Sequence, residues 1–372
     1  NKISSNYGII VGGLANSGIS VSTFQGGGEY NQCGGSGAVV IGGLRNRTFD
    51  LGAVIIGGAD NVCSGIFSIT CAGSGNLVSG RDYSSSFSSI LGGRGNRVDG
   101  AASMVVGGSG NFASGDCSAV LAGRGNICSG INSIIGAGLS NFIKASQSAI
   151  LGGASNRISG VNTTHSFVGA GDSNLVTGSV SAICGGNMNS ALNSYVFIGA
   201  GLMNSGSGQY SAVCAGTQNL AQNTNSFVGG GASNRALANQ AAVCAGQSNT
   251  ASGSNSFVGG GSSNSAKGAG CFIGGGTSNV CENSNSVVCA GDSNRALFLN
   301  AAILAGSNQV VSGTNSAILI GSNNQIGSAA DYSLIAGGAF NVLADGSLDC
   351  LIGNGAFNTI LHACNYSTIL KG

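Results

Sequence analysis

Proline and tryptophan are absent from this chain of 372 residues, and only 7% of its residues are charged. Without proline, and with glycine keeping no strict period of three, a collagen triple helix is excluded. Low charge with 42% hydrophobic residues also excludes simple disorder, which needs the opposite balance. A formal net charge of +1 gives no electrostatic case for nucleic acid or for an anionic membrane surface. No run approaches the roughly 20 apolar residues of a membrane helix, so membrane insertion is not expected. The first five residues hold neither an initiator methionine nor the apolar core of a signal peptide. The expectation is a processed product or a piece of a longer protein.

Glycine is abundant, with 69 residues, and it falls in a repeat. The anchor is an Asn with Gly three residues before it. Anchors stand at 16, 31, 46, 61, 76, 96, 111, 126, 141, 156, 174, 189, 204, 219, 234, 249, 264, 279 and 294. Looser copies follow at 308, 324, 341 and 358, which makes 23 anchors, mostly 15 residues apart. Around Asn308 the pattern reads as one residue short. Columns are named below by their offset from the anchor.

The −6 column is β-branched almost throughout (Val40, Ile55, Val105, Ile150, Val213, Val258, Ile335). The +2 column is apolar (Val98, Ile143, Ile158, Ala236, Cys281, Ile360), and the −8 column is small, usually Ser. Short Val/Ile runs bounded by Gly, Ser and Asn read as strands between tight turns. The unit predicts two strands of about five residues. Helical repeats are excluded, since each Gly would cost a helix roughly 1 kcal/mol. The Asn column sits at a corner, either as a turn former or as a ladder of stacked amides.

Strand side chains alternate between faces, so the −7 and −5 columns should point away from the −6 column. Both are apolar and matched in size. Phe167, Phe197, Phe227, Phe257 and Phe272 at −7 each go with Gly at −5, whereas Ala at −7 goes with Cys or Leu. Such volume compensation is what close packing demands. It points to an oligomer interface along these Phe, most simply three copies around an axis. The competing arrangement is a 30-residue coil with Phe and Ala rungs on opposite sides.

The unit Ser-Ala-Ile-Leu-Gly-Gly-Ala-Ser-Asn-Arg-Ile-Ser-Gly (148–160) resembles the head repeat of YadA-like trimeric autotransporter adhesins. It is also similar to the Gly-Gly-x-x-Asn repeat fibres of phages and large viruses. The resemblance implies a left-handed parallel β-roll that trimerises. The period of 15 is one residue longer than the adhesin repeat.

The 13 Cys fall in regular columns. Cys71, Cys184, Cys214, Cys244 and Cys289 stand at −5; Cys33, Cys63, Cys128 and Cys281 stand at +2. They replace small hydrophobes and read as buried free thiols. Free thiols in number suggest folding in a reducing compartment, which favours a virus or phage fibre over a bacterial surface protein. No Cys-x-x-Cys or Cys/His cluster marks a metal site, and His165 and His362 are far apart in sequence. No nucleophile elbow or phosphate loop interrupts the array, and no cofactor is expected.

Two interruptions are candidate partner-contact loops, since insertions in a solenoid become surface loops. Five residues are added around Arg81-Asp82-Tyr83, and three around Asn162-Thr163-Thr164-His165. Arg47, Arg97, Arg157, Arg235 and Arg295 follow their anchors directly and should line one edge, where they keep the chain soluble or meet a sugar acid or phosphate. Asn46, Asn162 and Asn365 begin glycosylation sequons that read as chance matches.

The expectation is an all-β, single-domain parallel β-solenoid over 1–372, regular in 1–300 and looser in 301–372. It would be a non-enzymatic fibre or shaft segment at a virion surface, with an attachment role toward a host glycan or protein. The alternatives are a bacterial trimeric adhesin head, an ice-binding solenoid, a glycan-cleaving spike and a self-assembling extracellular filament.

Overall fold

A computed structural model describes residues 1–80 and 86–372. Among these residues there is no helix; 48 strands of two residues each follow one another, two per coil. The chain is a parallel β-solenoid of about 24 coils, most of them 15 residues long. It forms two compact units, Asn1–Met188 and Asn189–Gly372.

Within each unit the +1/+2 strands pair only with one another, in parallel, and so do the −7/−6 strands. In the first unit Phe142 pairs with Arg157 and Ile143 with Ile158, while Ile134 and Ile135 pair with Ala149 and Ile150. In the second unit Ala242 pairs with Phe257 and Val243 with Val258. Phe and Ala rungs therefore share one sheet, and a 30-residue coil is excluded. Residues at +2 and −6 point inward and, away from the terminal coils, are buried, as Ile143, Ile158, Val243 and Val258 are.

The strands are shorter than the five residues expected, and the corners explain why. Each coil turns through left-handed residues at −9 and −1, many of them not glycine: Phe87 (φ 60°), Met188 (φ 53°) and Tyr210 (φ 58°). Strand N–H groups reach toward the following coil, as from Arg157 to the Asn174 carbonyl (2.8 Å). The left-handed corner turns its N–H the other way, as from Ser155 back to Leu139 (2.8 Å). Such conformations cost about 1–2 kcal/mol per non-glycine residue. The backbone bonds they complete offset that cost.

The anchor column is a ladder of buried amides. The backbone N–H of Asn156 donates to Oδ1 of Asn141 at 3.0 Å. Its Nδ2 donates to the carbonyls of Gly152 (3.1 Å) and Gly171 (2.8 Å). One residue, through its backbone N–H and its side chain, thus ties three coils together, which a simple turn former would not do. The Gly at −3 makes this reach possible. Gly153 has φ +88°, and a methyl group there would fall on the Gly171 carbonyl oxygen.

Two ladder members differ from the sequence reading. Asn1 is an additional anchor, accepting the N–H of Asn16 (2.9 Å). At the looser end the anchor is Gln309 and not Asn308. Gln309 donates its N–H to Asn294 Oδ1 and accepts that of Asn324 on Oε1, both at 3.0 Å. No residue has been lost there: Asn308 occupies the left-handed −1 corner with φ 54°.

Candidate interaction surface

The outward −7 and −5 columns contain no charged residue in any coil of either unit. In the first unit Phe167 is half-buried. In the second, Phe197, Phe227 and Phe272 are 43%, 36% and 39% exposed, and Phe257 stacks on Phe272 with centroids 5.3 Å apart. The Phe–Gly matching has a local cause. A Cβ on Gly229, Gly259 or Gly274 would fall on the carbonyl oxygen of Cys244, Gly274 or Cys289 in the following coil, and the edge of Phe227, Phe257 or Phe272 packs beside it at 3.4 Å. Between the Phe rungs lie the flatter Ala212/Cys214 and Ala242/Cys244 rungs. This outer face is not buried within one chain.

The cysteines divide accordingly. Cys33, Cys63, Cys128 and Cys281 at +2 are buried, but Cys184, Cys214 and Cys289 at −5 are exposed, and Cys71 and Cys244 are half-buried. The expectation of buried thiols holds for the inner column and fails for the outer one, because −5 faces away from the core. All 13 are unpaired in the chain. Burial pushes the thiol pKa of Cys63 up to about 11 and that of Cys128 up to about 12.

The opposite outward face carries the +1 and +3 columns. Arg47, Arg97, Arg157, Arg235 and Arg295 are exposed here, each the first residue of its strand. Two of them lie on aromatic rings: Arg97 over Phe112 at 5.2 Å and Arg157 over Phe142 at 4.7 Å. They differ at +3. Asp99 holds Arg97 in an ion pair at 2.6 Å. Ser159 stands at that position for Arg157 and accepts its Nε–H at 2.7 Å.

Arg81, Asp82 and Tyr83 lie outside the described residues. The other interruption is only partly a surface loop. Val161 is 94% exposed and Asn162 is exposed at φ 60°. Thr163 is buried and donates to the Thr177 carbonyl (2.6 Å). Thr164 bridges to Ser146, and His165 takes the ordinary −9 corner, so the three added residues are 161–163. Gly160, Val161 and Asn162 wall an open groove of 480 Å³ whose other lining residues are Lys144, Arg157 and Ser159. Sequence reasoning missed Lys144 and Ser159. Their signal was the shared +3 column, which pairs them across adjacent coils. Of the sequons, Asn46 is fully buried in the ladder, whereas Asn162 and Asn365 are exposed.

No protein-family model matches this chain, and no curated protein is significantly similar to it.

Proposed function

We propose that this chain is a shaft segment of a surface fibre, functioning as one copy in a homo-oligomer, most simply a trimer of left-handed coils. The observation that carries the reading is the outer face of the −7/−5 columns. A soluble monomer is expected to place charge on such a face, and an extended apolar surface marks a protein interface. The natural occupant is a second copy. Phe ridges separated by flatter Ala/Cys rungs recur at about two coil spacings, close to 10 Å. A neighbouring copy displaced by one coil could set its ridges into those grooves.

The unpaired thiols favour assembly in a reducing cytoplasm before release, which fits a virus or phage particle. An attachment role at the virion surface, toward a host glycan or protein, follows from that setting. The role proposed is structural and adhesive, with no catalytic step.

Sedimentation and native mass measurement test the oligomer. The wild-type chain should run as a multiple of 35.9 kDa at micromolar concentration. Phe227→Ser with Phe257→Ser should shift it toward monomer while the β-rich circular dichroism persists. A wild-type monomer at that concentration would overturn the reading.

A further inference from the structure

We infer that the groove between Lys144 and Asn162 is a binding site for the acidic group of a saccharide, a carboxylate or a sulfate ester. This rests on the attachment reading and names the chemistry of what is attached.

Three observations converge. The first is an unneutralised pair of cations. Lys144 and Arg157 line one groove, and neither has a carboxylate partner among the described residues. No Asp or Glu stands in the +1 or +3 columns from Phe112 to Thr177.

The second is preorganisation. Phe142 lies beneath the Arg157 guanidinium, and Ser159 fixes its Nε, which leaves the terminal nitrogens for a ligand. A guanidinium held in this way presents a planar fork suited to carboxylate or sulfate oxygens. Lys144 supplies a second charge from the adjacent coil, because it follows Ile143 directly as Ser159 follows Ile158, the residue Ile143 pairs with. Arg97 is the internal control: it too lies over a Phe, but Asp99 occupies its fork.

The third is the wall. Gly160, Val161 and Asn162 stand beside this cation pair, and the resulting 480 Å³ lies within the range of about 300–1,000 Å³ typical of small-ligand sites. Asn162 brings an amide able to bond sugar hydroxyls, and Val161 brings an apolar edge for a ring face. A free inorganic anion would use the cations but not this wall.

Isothermal titration of the purified whole chain tests the site. The probes are N-acetylneuraminic acid for the carboxylate, N-acetylglucosamine 6-sulfate for the sulfate ester, and N-acetylglucosamine as the neutral control. One acidic probe should bind in the millimolar range or tighter, more weakly as salt is added. Lys144→Ala and Arg157→Ala should each weaken it at least tenfold, while Arg97→Ala leaves it unchanged. All three side chains are exposed, so the oligomeric mass should not move.

Undiminished binding by the double variant overturns the site, as does heat with neither acidic probe at millimolar concentration. Inorganic sulfate matching the sulfated sugar would overturn the saccharide assignment. The attachment reading fails separately, if the wild-type oligomer adheres to no glycan-bearing surface. Adhesion that survives the double variant keeps that reading and removes the site.

Discussion

The coils of the first unit and the central coils of the second share one backbone pattern but distribute apolar mass differently. From Val78 to Val176 the inner +2 column of the first unit is mostly Val and Ile; from Ala191 to Ala296 that of the second is Ala, with one Gly and one Cys. Replacing Ile by Ala removes burial worth about 2 kcal/mol per coil, at roughly 0.8 kcal/mol per methylene. The −8 column differs as well. In the first unit it is Ser without a break from Ser68 to Ser181, with N–H to Oγ links such as Ser118 to Ser103 (3.0 Å). In the second, Val196, Ala241, Cys271 and Ala301 interrupt it, and Ser211 and Ser226 have buried hydroxyls without partners. Outside, the second unit gathers its apolar mass into Phe197, Phe227, Phe257 and Phe272, where the first unit spreads it over residues such as Met104, Val106, Leu121 and Leu151. The ladder of amides, and not the volume of the core, is therefore the common frame. The central coils of the second unit are the ones that gain most from a covering copy.

The strongest way to break this comparison is to attack the ladder in both units. Asn141→Ala removes the acceptor of the Asn156 N–H and the donor to Ala137 and Gly153. Asn234→Ala does the same to Asn249, Gly230 and Gly246. Each should cost on the order of 4 kcal/mol in urea melts, since buried groups lose their partners. The two losses should agree within about 1 kcal/mol if the ladder is equally important in both units. The core variants should not agree. Ile143→Ala is expected to cost about 3 kcal/mol, whereas Ala236→Gly removes one methyl and costs about 1 kcal/mol. Equal losses from these two would contradict the account of where the units store their burial.

Much of this frame was legible in the sequence, because a period of 15 with a Gly–Asn pair cannot be kept by chance over so many copies. The inward columns were also legible, since inward and outward strand residues alternate. Strand length was not. It depends on left-handed corners such as Phe87, Met188 and Tyr210, residue types that ordinarily avoid positive φ. Asn1 was hidden because the anchor was recognised by its Gly at −3, a position this sequence does not include for it, and Gln309 because its neighbour Asn308 mimicked an anchor. In the groove, Arg157 and Asn162 were legible as separate candidates. Lys144 became visible only when the register placed the +3 column of one coil beside that of the next.

Alkaline pH should sharpen the comparison next. Cys63 and Cys128 of the first unit have pKa values pushed up to about 11 and about 12 by burial. In the second unit the neighbouring Cys271 thiol and burial hold Cys281 protonated. A raised thiol pKa means that the folded state keeps its proton after the unfolded chain has lost it. Stability is then fully present below about pH 9 and falls as pH rises toward the folded values. At pH 10 the loss should be about 1.4 kcal/mol per buried thiol. Cys63→Ala with Cys128→Ala should flatten the decline between pH 8 and pH 10 relative to the wild type. A decline that persists unchanged would assign it to other groups.

The smallest expected effect lies at the one rung where the ladder changes residue. Gln309 keeps the acceptor role, but its buried Nε2 has no hydrogen-bond partner. An Asn in the same column, such as Asn294, donates to carbonyls on two coils (3.2 and 2.9 Å). The longer side chain of Gln leaves its amide nitrogen bonded to neither carbonyl that an Asn would reach, although the Gly321 carbonyl still accepts the Ser307 N–H (3.1 Å). Gln309→Asn should therefore stabilise the second unit by about 1 kcal/mol, the low end for restoring a buried donor. Asn141→Gln should install the same defect in the first unit and cost a similar amount. Thermal melts of the two variants decide it. Opposite shifts of similar size make the amide geometry a rule for either unit, while a shift in only one of them would tie it to the packing around that rung.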